Sequence, residues 1–299
     1  MSGINRLAAL VSGFSSKITL SLILFMTNVQ ANDKTLTLWH YSYDKPHVKE
    51  FVELAIQKAA DKYPTYTLKR ATEINKTQAF EALKQPNQLD IIVAALDADA
   101  EKNSLPIYIP VDRGLLGFRT CLIKPGSQQL FNQIKTVNDL SMQKLMFGVD
   151  TNWTDKKIML SNNLPLLDAP NYTELMDMLR QHKVNCVSRS VMDMDASLTT
   201  FPEFTPEANI AFIYPFAKII YVNQHNQIIY NMLKYGLEKA VADKSFYQLF
   251  NQHFAKKLEK QNFYYRKMLL MKNPLLSLAG KHTIKKYGIA SFSQAQEDE

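Results

Sequence analysis

Two extended apolar passages constrain this chain more than any other feature: residues 116–123 (LGFRTCLI) and 210–222 (IAFIYPFAKIIYV). Before the first, strand-like and helix-like segments alternate. Between them the same alternation restarts, and after the second it gives way to helices. A chain that builds one α/β unit, crosses to build another and returns through a second extended passage forms two packed layers systems joined at a double crossover. The fold class predicted is therefore α/β and two-lobed. Each lobe is a mixed, mostly parallel sheet flanked by helices, with two crossover strands at the hinge. The expected division is 32–117 with 218–299 in one lobe and 118–217 in the other. A gap between two such lobes is where a small molecule would lodge.

The periodicity carries this reading. Thr35 to Tyr41 alternates as a first strand, and Asp44 with Pro46 opens a helix whose apolar positions recur through Lys62. Residues 66–70 and 89–96 read as further strands, the latter apolar on both faces. In the second unit, 145–149, 164–167 and 184–188 are strand-like, Asn171 with Glu174 starts a helix, and 189–205 is irregular. Residues 227–242 and 246–254 are helical. The basic, aromatic run from Lys256 to Met271 reads as an amphipathic helix lying on the first lobe.

The N-terminus has the form of an export signal. Arg6 and Lys17 precede the apolar core 18–26, and Val29-Gln30-Ala31 offers small residues at the cleavage positions, so 1–31 is expected to be removed. That core is shorter than the roughly 20 residues of a membrane span. The mature chain is expected in the periplasm, soluble and monomeric, without stable membrane insertion. Loss of Arg6 and Lys17 with no acid lowers the net charge from +7 to +5. A mild excess without clustered bases and interleaved aromatics does not indicate nucleic acid. The two cysteines, Cys121 and Cys186, can pair in an oxidising compartment or stay free as small buried apolar residues.

The order of these pieces resembles the extracellular solute-binding proteins of family 3, the amino-acid-binding branch of the type 2 periplasmic binding fold. The resemblance spans residues 35–255. It rests on PIYIPVDRGLLGFRTCLI, which is similar to the family's hinge region, on Val137-Asn138-Asp139-Leu140 followed by GVDTNWTD, on Tyr172 to Cys186, and on Asn226 to Phe254. It implies capture of a small amino-acid-like or carboxylate ligand for an ABC-type permease, and no catalysis. Two departures bear on the ligand. Where the family carries an arginine for the α-carboxylate, this chain has Asp97 to Lys102, with Lys102 the lone base. Where the family has Gly-Thr, it has Asp150-Thr151. These departures leave room for a sensor or adaptor of the same fold that binds a protein partner, such as a periplasmic sensor domain, and little or no solute.

Candidate ligand-binding residues follow from their expected places. Trp39 and Tyr41 end the first strand, where rings can stack on a ligand or pack the rim. Asp97 ends another strand and can meet an ammonium or stand solvated. Thr151, Trp153, Thr154 and Asp155 surround a predicted helix start whose free N–H groups favour an anion, unless the acids only cap it. Arg119 and Arg189 can fork a carboxylate or form structural ion pairs. Tyr172 reads as a packing residue. The six histidines do not cluster, and His40 and His47 lack ligand spacing, so no metal is expected. With no phosphate loop, dinucleotide fingerprint or nucleophile elbow, neither a cofactor nor an enzyme is expected.

Overall fold

The computed structural model describes residues 34–289; the expected signal segment 1–31 lies outside them. The first half runs β1 (Lys34–Leu38), α1 (His40–Tyr43), α2 (Pro46–Lys58), β2 (Tyr66–Arg70), α3 (Lys76–Leu83), β3 (Ile91–Ala95), α4 (Ala98–Lys102) and β4 (Leu105–Ile107). The second unit follows with β5 (Phe118–Ile123), α5 (Val137–Met142), β6 (Phe147–Asp150), α6 (Asp155–Ser161), β7 (Leu166–Ala169), α7 (Tyr172–Arg180), β8 (Cys186–Ser190), α8 (Met194–Thr200), β9 (Thr205–Pro206) and β10 (Ile210–Ile213). The chain closes with β11 (Lys218–Val222), α9 (Gln227–Ala242), α10 (Ser245–Lys260), β12 (Lys267–Leu270) and α11 (Leu278–Tyr287).

Two mixed sheets result. The first has the order β2-β1-β3-β11-β4, the second β12-β10-β5-β8-β6-β7 with β9 also on β5. Every antiparallel pair involves β5 or β11. These are the strands through which the chain arrives in one sheet and returns to the other, so they run against their neighbours. Strands β1, β2 and β3 pair in parallel, as do β6, β7 and β8. Helix α2 buries Val48, Phe51, Val52, Ala55 and Ile56. It packs closely on α9, where a side chain on Gly236 would overlap the carbonyl oxygen of Ala55.

The long run 210–222 is two strands in two sheets, not one. Between them, Tyr214 donates its amide to the Gly117 carbonyl (3.2 Å) and the Gly117 amide donates to Phe216 (3.2 Å). Val111 donates to the Lys218 carbonyl at 3.0 Å. The two passages thus run side by side, and a methyl on Gly117 would overlap the Tyr214 carbonyl oxygen. Asp112, 1% exposed, closes this junction. Its carboxylate accepts from the amides of Gly114 (3.2 Å), Leu116 (3.1 Å) and Lys218 (3.0 Å), so one side chain holds both passages. Burial pushes its carboxyl up to about 6, against the pull of Lys218 and of those amide donors.

Several expectations change here. Strand β1 stops at Leu38, and residues 40–43 turn into a short helix. The reason is Ser42, whose hydroxyl donates to the Val93 carbonyl (3.0 Å) and accepts the Val93 amide (3.1 Å), taking over the pairing of β3. The stretch 189–205 contains α8. The run 256–271 is not one helix. α10 ends before Asn262, which takes the left-handed conformation (φ 46°) and sends the chain into β12. That strand pairs with β10 in the second sheet, although 218–299 was expected in the first lobe. Arg266 anchors the crossing, donating to Gln261 (3.1 Å) and Ile210 (3.2 Å) carbonyls beside the buried Glu207. Helix α11 then returns to the first unit, where Arg113 donates to the Tyr287 carbonyl at 3.1 Å. Cys121 on β5 and Cys186 on the adjacent β8 form a disulfide with Cα atoms 5.1 Å apart.

Gly117→Ala should cost about 2 kcal/mol or more of unfolding free energy in urea titration, because backbone rather than a movable side chain blocks the methyl. Gly280→Ala meets only side-chain atoms at 3.3–3.6 Å and should cost less than about 1 kcal/mol. Equal effects would show that the crossover contact is not tight.

Candidate functional site

A cavity of about 320 Å³ opens between the two sheets. Trp39, Tyr41, Lys76, Val93–Ala95 and Lys218 line it from the first sheet's side. Arg119, Asn152–Asp155, Tyr172, Arg189 and Asp193 line it from the second, with Leu116 and Phe216 from the crossovers. Seven of the residues expected at a ligand meet here: Trp39, Tyr41, Arg119, Trp153, Thr154, Asp155 and Arg189. Asp97 and Thr151 line a neighbouring cavity that shares Asn152, Trp153 and Thr154 with the first. Asp97 caps α4, accepting from the amides of Asp99 (3.0 Å) and Ala100 (3.2 Å). The Thr151 hydroxyl is held by Asp168 (3.1 Å) and the Ala169 carbonyl (3.0 Å). Lys102 stands outside both walls, exposed and paired with Asp99 at 3.2 Å.

The two arginines take different parts. Arg119 is 3% exposed and its donors are largely spent. It reaches the Ser188 hydroxyl (3.0 Å), the Ser188 carbonyl (3.1 Å), the Leu116 carbonyl (3.2 Å) and the Asp155 carboxylate (2.9 Å). Tyr214 donates its hydroxyl to the same carboxylate. Asp155, the first residue of α6, thus gives its carboxylate to Arg119 and Tyr214. This triad fastens β5, α6 and the return crossover together. Arg189 is held through one nitrogen only, Nε to the Ser197 hydroxyl at 2.9 Å. Its guanidinium lies over the rings of Tyr172 (4.7 Å) and Trp153 (5.1 Å). Its two terminal nitrogens donate to none of the described residues, and stacking holds them in a fixed plane suited to a carboxylate or phosphate.

Three charged residues of the wall were not among the expected ones. Lys218 opens β11, is 8% exposed, and its ammonium makes no hydrogen bond or ion pair with any described residue. Lys76 reaches across from the first turn of α3 to the Thr154 hydroxyl at 3.2 Å, and burial lowers its pKa. Asp193 pairs with Lys45 at 3.4 Å. Burial works to raise its carboxyl, but Lys218, Lys45, Arg189 and Arg119 together hold it well below the usual range. Tyr172, read as a packing residue, borders the cavity with a buried hydroxyl that has no partner among the described residues. A signal for Lys218 was present: it is the one charged residue in the apolar run 210–222. A cation in a buried strand needs a counter-charge from somewhere. No such pattern marks Lys76 or Asp193, which tertiary packing alone brings to the wall.

Trp39 donates its indole N–H to the Ile74 carbonyl (3.1 Å) and stacks near Tyr41, ring centroids 5.2 Å apart. Tyr41 is half exposed at the mouth, with the Lys45 ammonium on its hydroxyl at 2.9 Å. Among the described residues no three His, Cys, Asp or Glu side chains gather as a metal site, and no helix is long and apolar enough to cross a membrane.

No family's sequence profile matches the chain, and no curated protein matches it in sequence. Solved structures do. One is the substrate-binding protein of an amino acid ABC transporter, with 12% identity, coverage of 74% of this chain and 99% of that one, and a TM-score of 0.51. Another is a Salmonella typhimurium periplasmic binding protein of high arginine specificity, with 14% identity, 74% and 99% coverage and a TM-score of 0.51. A third belongs to glutathione import in Streptococcus mutans, with 11% identity, 75% and 95% coverage and a TM-score of 0.52. At such identities the likeness is one of fold: the chain has the two-lobed periplasmic-binding-protein fold.

His47 on α2 borders this charged region. Burial, then Lys218, Lys45 and Lys257, lower its pKa to about 3, while Asp193 opposes them. A histidine depressed in the fold is neutral there while the unfolded chain protonates below about 6.5, so stability is lost as pH falls from there toward 3. Unfolding titrations at pH 7 and pH 4.5 should show His47→Gln losing roughly 2 kcal/mol less than the parent over this interval. Parallel pH profiles would show that His47 is solvated in the fold.

Proposed function

We propose that the protein is a solute-binding protein that captures a small polar solute, amino-acid-like or carboxylate-bearing, between its two lobes. It would act in the periplasm and deliver the solute to an ABC-type permease. The lobes would be 32–117 with 218–299, and 118–217, with β12 lent to the second sheet. The observation that carries the proposal is a set of cations at one interlobe cavity that make no direct ion pair with any described residue. Lys218 and Lys76 come from the first lobe's side and Arg189 from the second. A solute that touches both sides gains contacts only when they are close, and that difference is what can drive closure. The volume of about 320 Å³ suits a molecule of amino-acid size. The similarity in fold to amino-acid-binding proteins supports the same reading.

Thermal unfolding of the mature chain against amino acids, small carboxylates and polyamines tests this. A true ligand should raise the melting temperature in step with the logarithm of its concentration. Arg189→Ala should weaken that ligand by about 100-fold, the scale of losing a charge-assisted fork, while the free protein melts within a few degrees of the parent. Silence across the whole library, with a protein recovered by crosslinking, would replace solute capture with the adaptor reading.

A further inference from the structure

We infer that Arg189 is the second lobe's anchor for a carboxylate of the solute, and that Trp153, Tyr172 and Ser197 are the positioning residues that aim it. This rests on the solute-capture reading above and names the group of the solute that the second lobe holds.

Four separate elements meet at this side chain. Arg189 stands on β8, Trp153 in the turn before α6, Tyr172 at the first position of α7, and Ser197 on α8. The guanidinium lies 4.7 Å from the Tyr172 ring centre and 5.1 Å from that of Trp153. The two rings are themselves neighbours, 6.0 Å apart with planes at 38°. Tyr172 also meets Phe201 edge-on at 5.5 Å, and all three aromatic residues pack on the second unit's own core. Behind them the Ser197 hydroxyl accepts from Arg189 Nε at 2.9 Å and donates to the Asp193 carbonyl at 3.0 Å. The ring contacts restrict the tilt of the guanidinium, and the Nε bond restricts its rotation. One edge of the fork remains, the two terminal nitrogens, which bond to none of the described residues.

That edge selects by shape. Two donors in one plane match the two coplanar oxygens of a carboxylate. A phosphate can span the same two nitrogens but sets further oxygens out of their plane, so a flat fork gives it no advantage of shape. Asp193, whose carboxylate feels the charge of Arg189, makes its direct ion pair with Lys45 at 3.4 Å and not with this edge. The ring of Tyr172, not its hydroxyl, does the aiming. The hydroxyl is buried with no partner among the described residues, so its removal leaves the stack in place. Ser197 is 2% exposed and is not part of the cavity wall, so it reaches a guest only through Arg189.

Nitrogen NMR of the mature protein with isotope-labelled arginines tests the inference. Sodium acetate is the minimal carboxylate, compared with phosphate and chloride at matched ionic strength. The Arg189 Nε–H signal is the one missing in Arg189→Lys. The signal of Arg119, bonded through all three of its nitrogens, should stay still and reports an intact second sheet in each variant. Acetate should move the Arg189 signal saturably and bind about fivefold more tightly than phosphate or chloride. Ser197→Ala and Tyr172→Leu should each weaken acetate about fivefold, the scale of one lost hydrogen bond or ring contact. Ser197→Ala removes a single oxygen and carries the test alone should Tyr172→Leu not fold. Tyr172→Phe keeps the ring and should stay within about twofold of the parent. Phosphate bound as tightly as acetate would overturn the carboxylate assignment. Unchanged acetate affinity in Ser197→Ala and Tyr172→Leu would overturn the positioning roles. An Arg189 signal that no anion moves would overturn the anchor itself. A hit from the wider solute library would then leave solute capture standing, whereas silence of that library as well would overturn both.

Discussion

The contact of two chain passages at Gly117 is the constraint on which the rest of this structure depends. Gly117 exchanges backbone hydrogen bonds with Tyr214 and Phe216, and Asp112 binds the amides that begin β11 and the turn before β5. This fixes where β5 enters the second sheet and where β11 enters the first. Arg119 is the second residue of β5, and Lys218 the first of β11. Both cations therefore sit at the floor of the same gap, not by separate placement but because their strands start from one junction. The only side chain small enough for that junction is none at all, hence glycine.

Around this floor the protein has solved two electrostatic problems differently. Arg119 is fully buried and fully answered, by Asp155, Ser188 and main-chain carbonyls. It works as a bolt, and removing either partner would strand a buried charge. Lys218 and Arg189 instead act on the Asp193 carboxylate without a direct ion pair among the described residues. Arg189 is held flat by two rings and one hydroxyl, with its outer nitrogens bonded to none of the described residues.

The two sides are also tied directly. Lys45 meets Asp193 and Lys76 meets Thr154 across the gap. The chain after α10 adds a further tie: β12 extends the second sheet, and α11 returns to Arg113 and Glu101 of the first unit. Lys257, Lys260 and Gln261 at the end of α10 reach residues 191–195. These contacts, with the two crossovers, hold the two sides together.

Periodicity and order determined the two-sheet α/β plan and the crossovers, because strands of period two and helices of period 3.6 write their buried faces into local sequence. Lys218 was legible in principle as a charge inside an apolar strand. Other features were decided only by tertiary structure. Ser42 ended β1 early by capturing β3. Asn262 turned an amphipathic run into a strand of the other sheet. Lys76 and Asp193 came to the cavity from positions with no local mark, and Lys102 was left outside. The physical reason is the same in each case. Burial and hydrogen-bond satisfaction are pair properties of residues distant in sequence, so a residue's neighbours along the chain do not disclose whether its charge will be answered, spent or left for a guest.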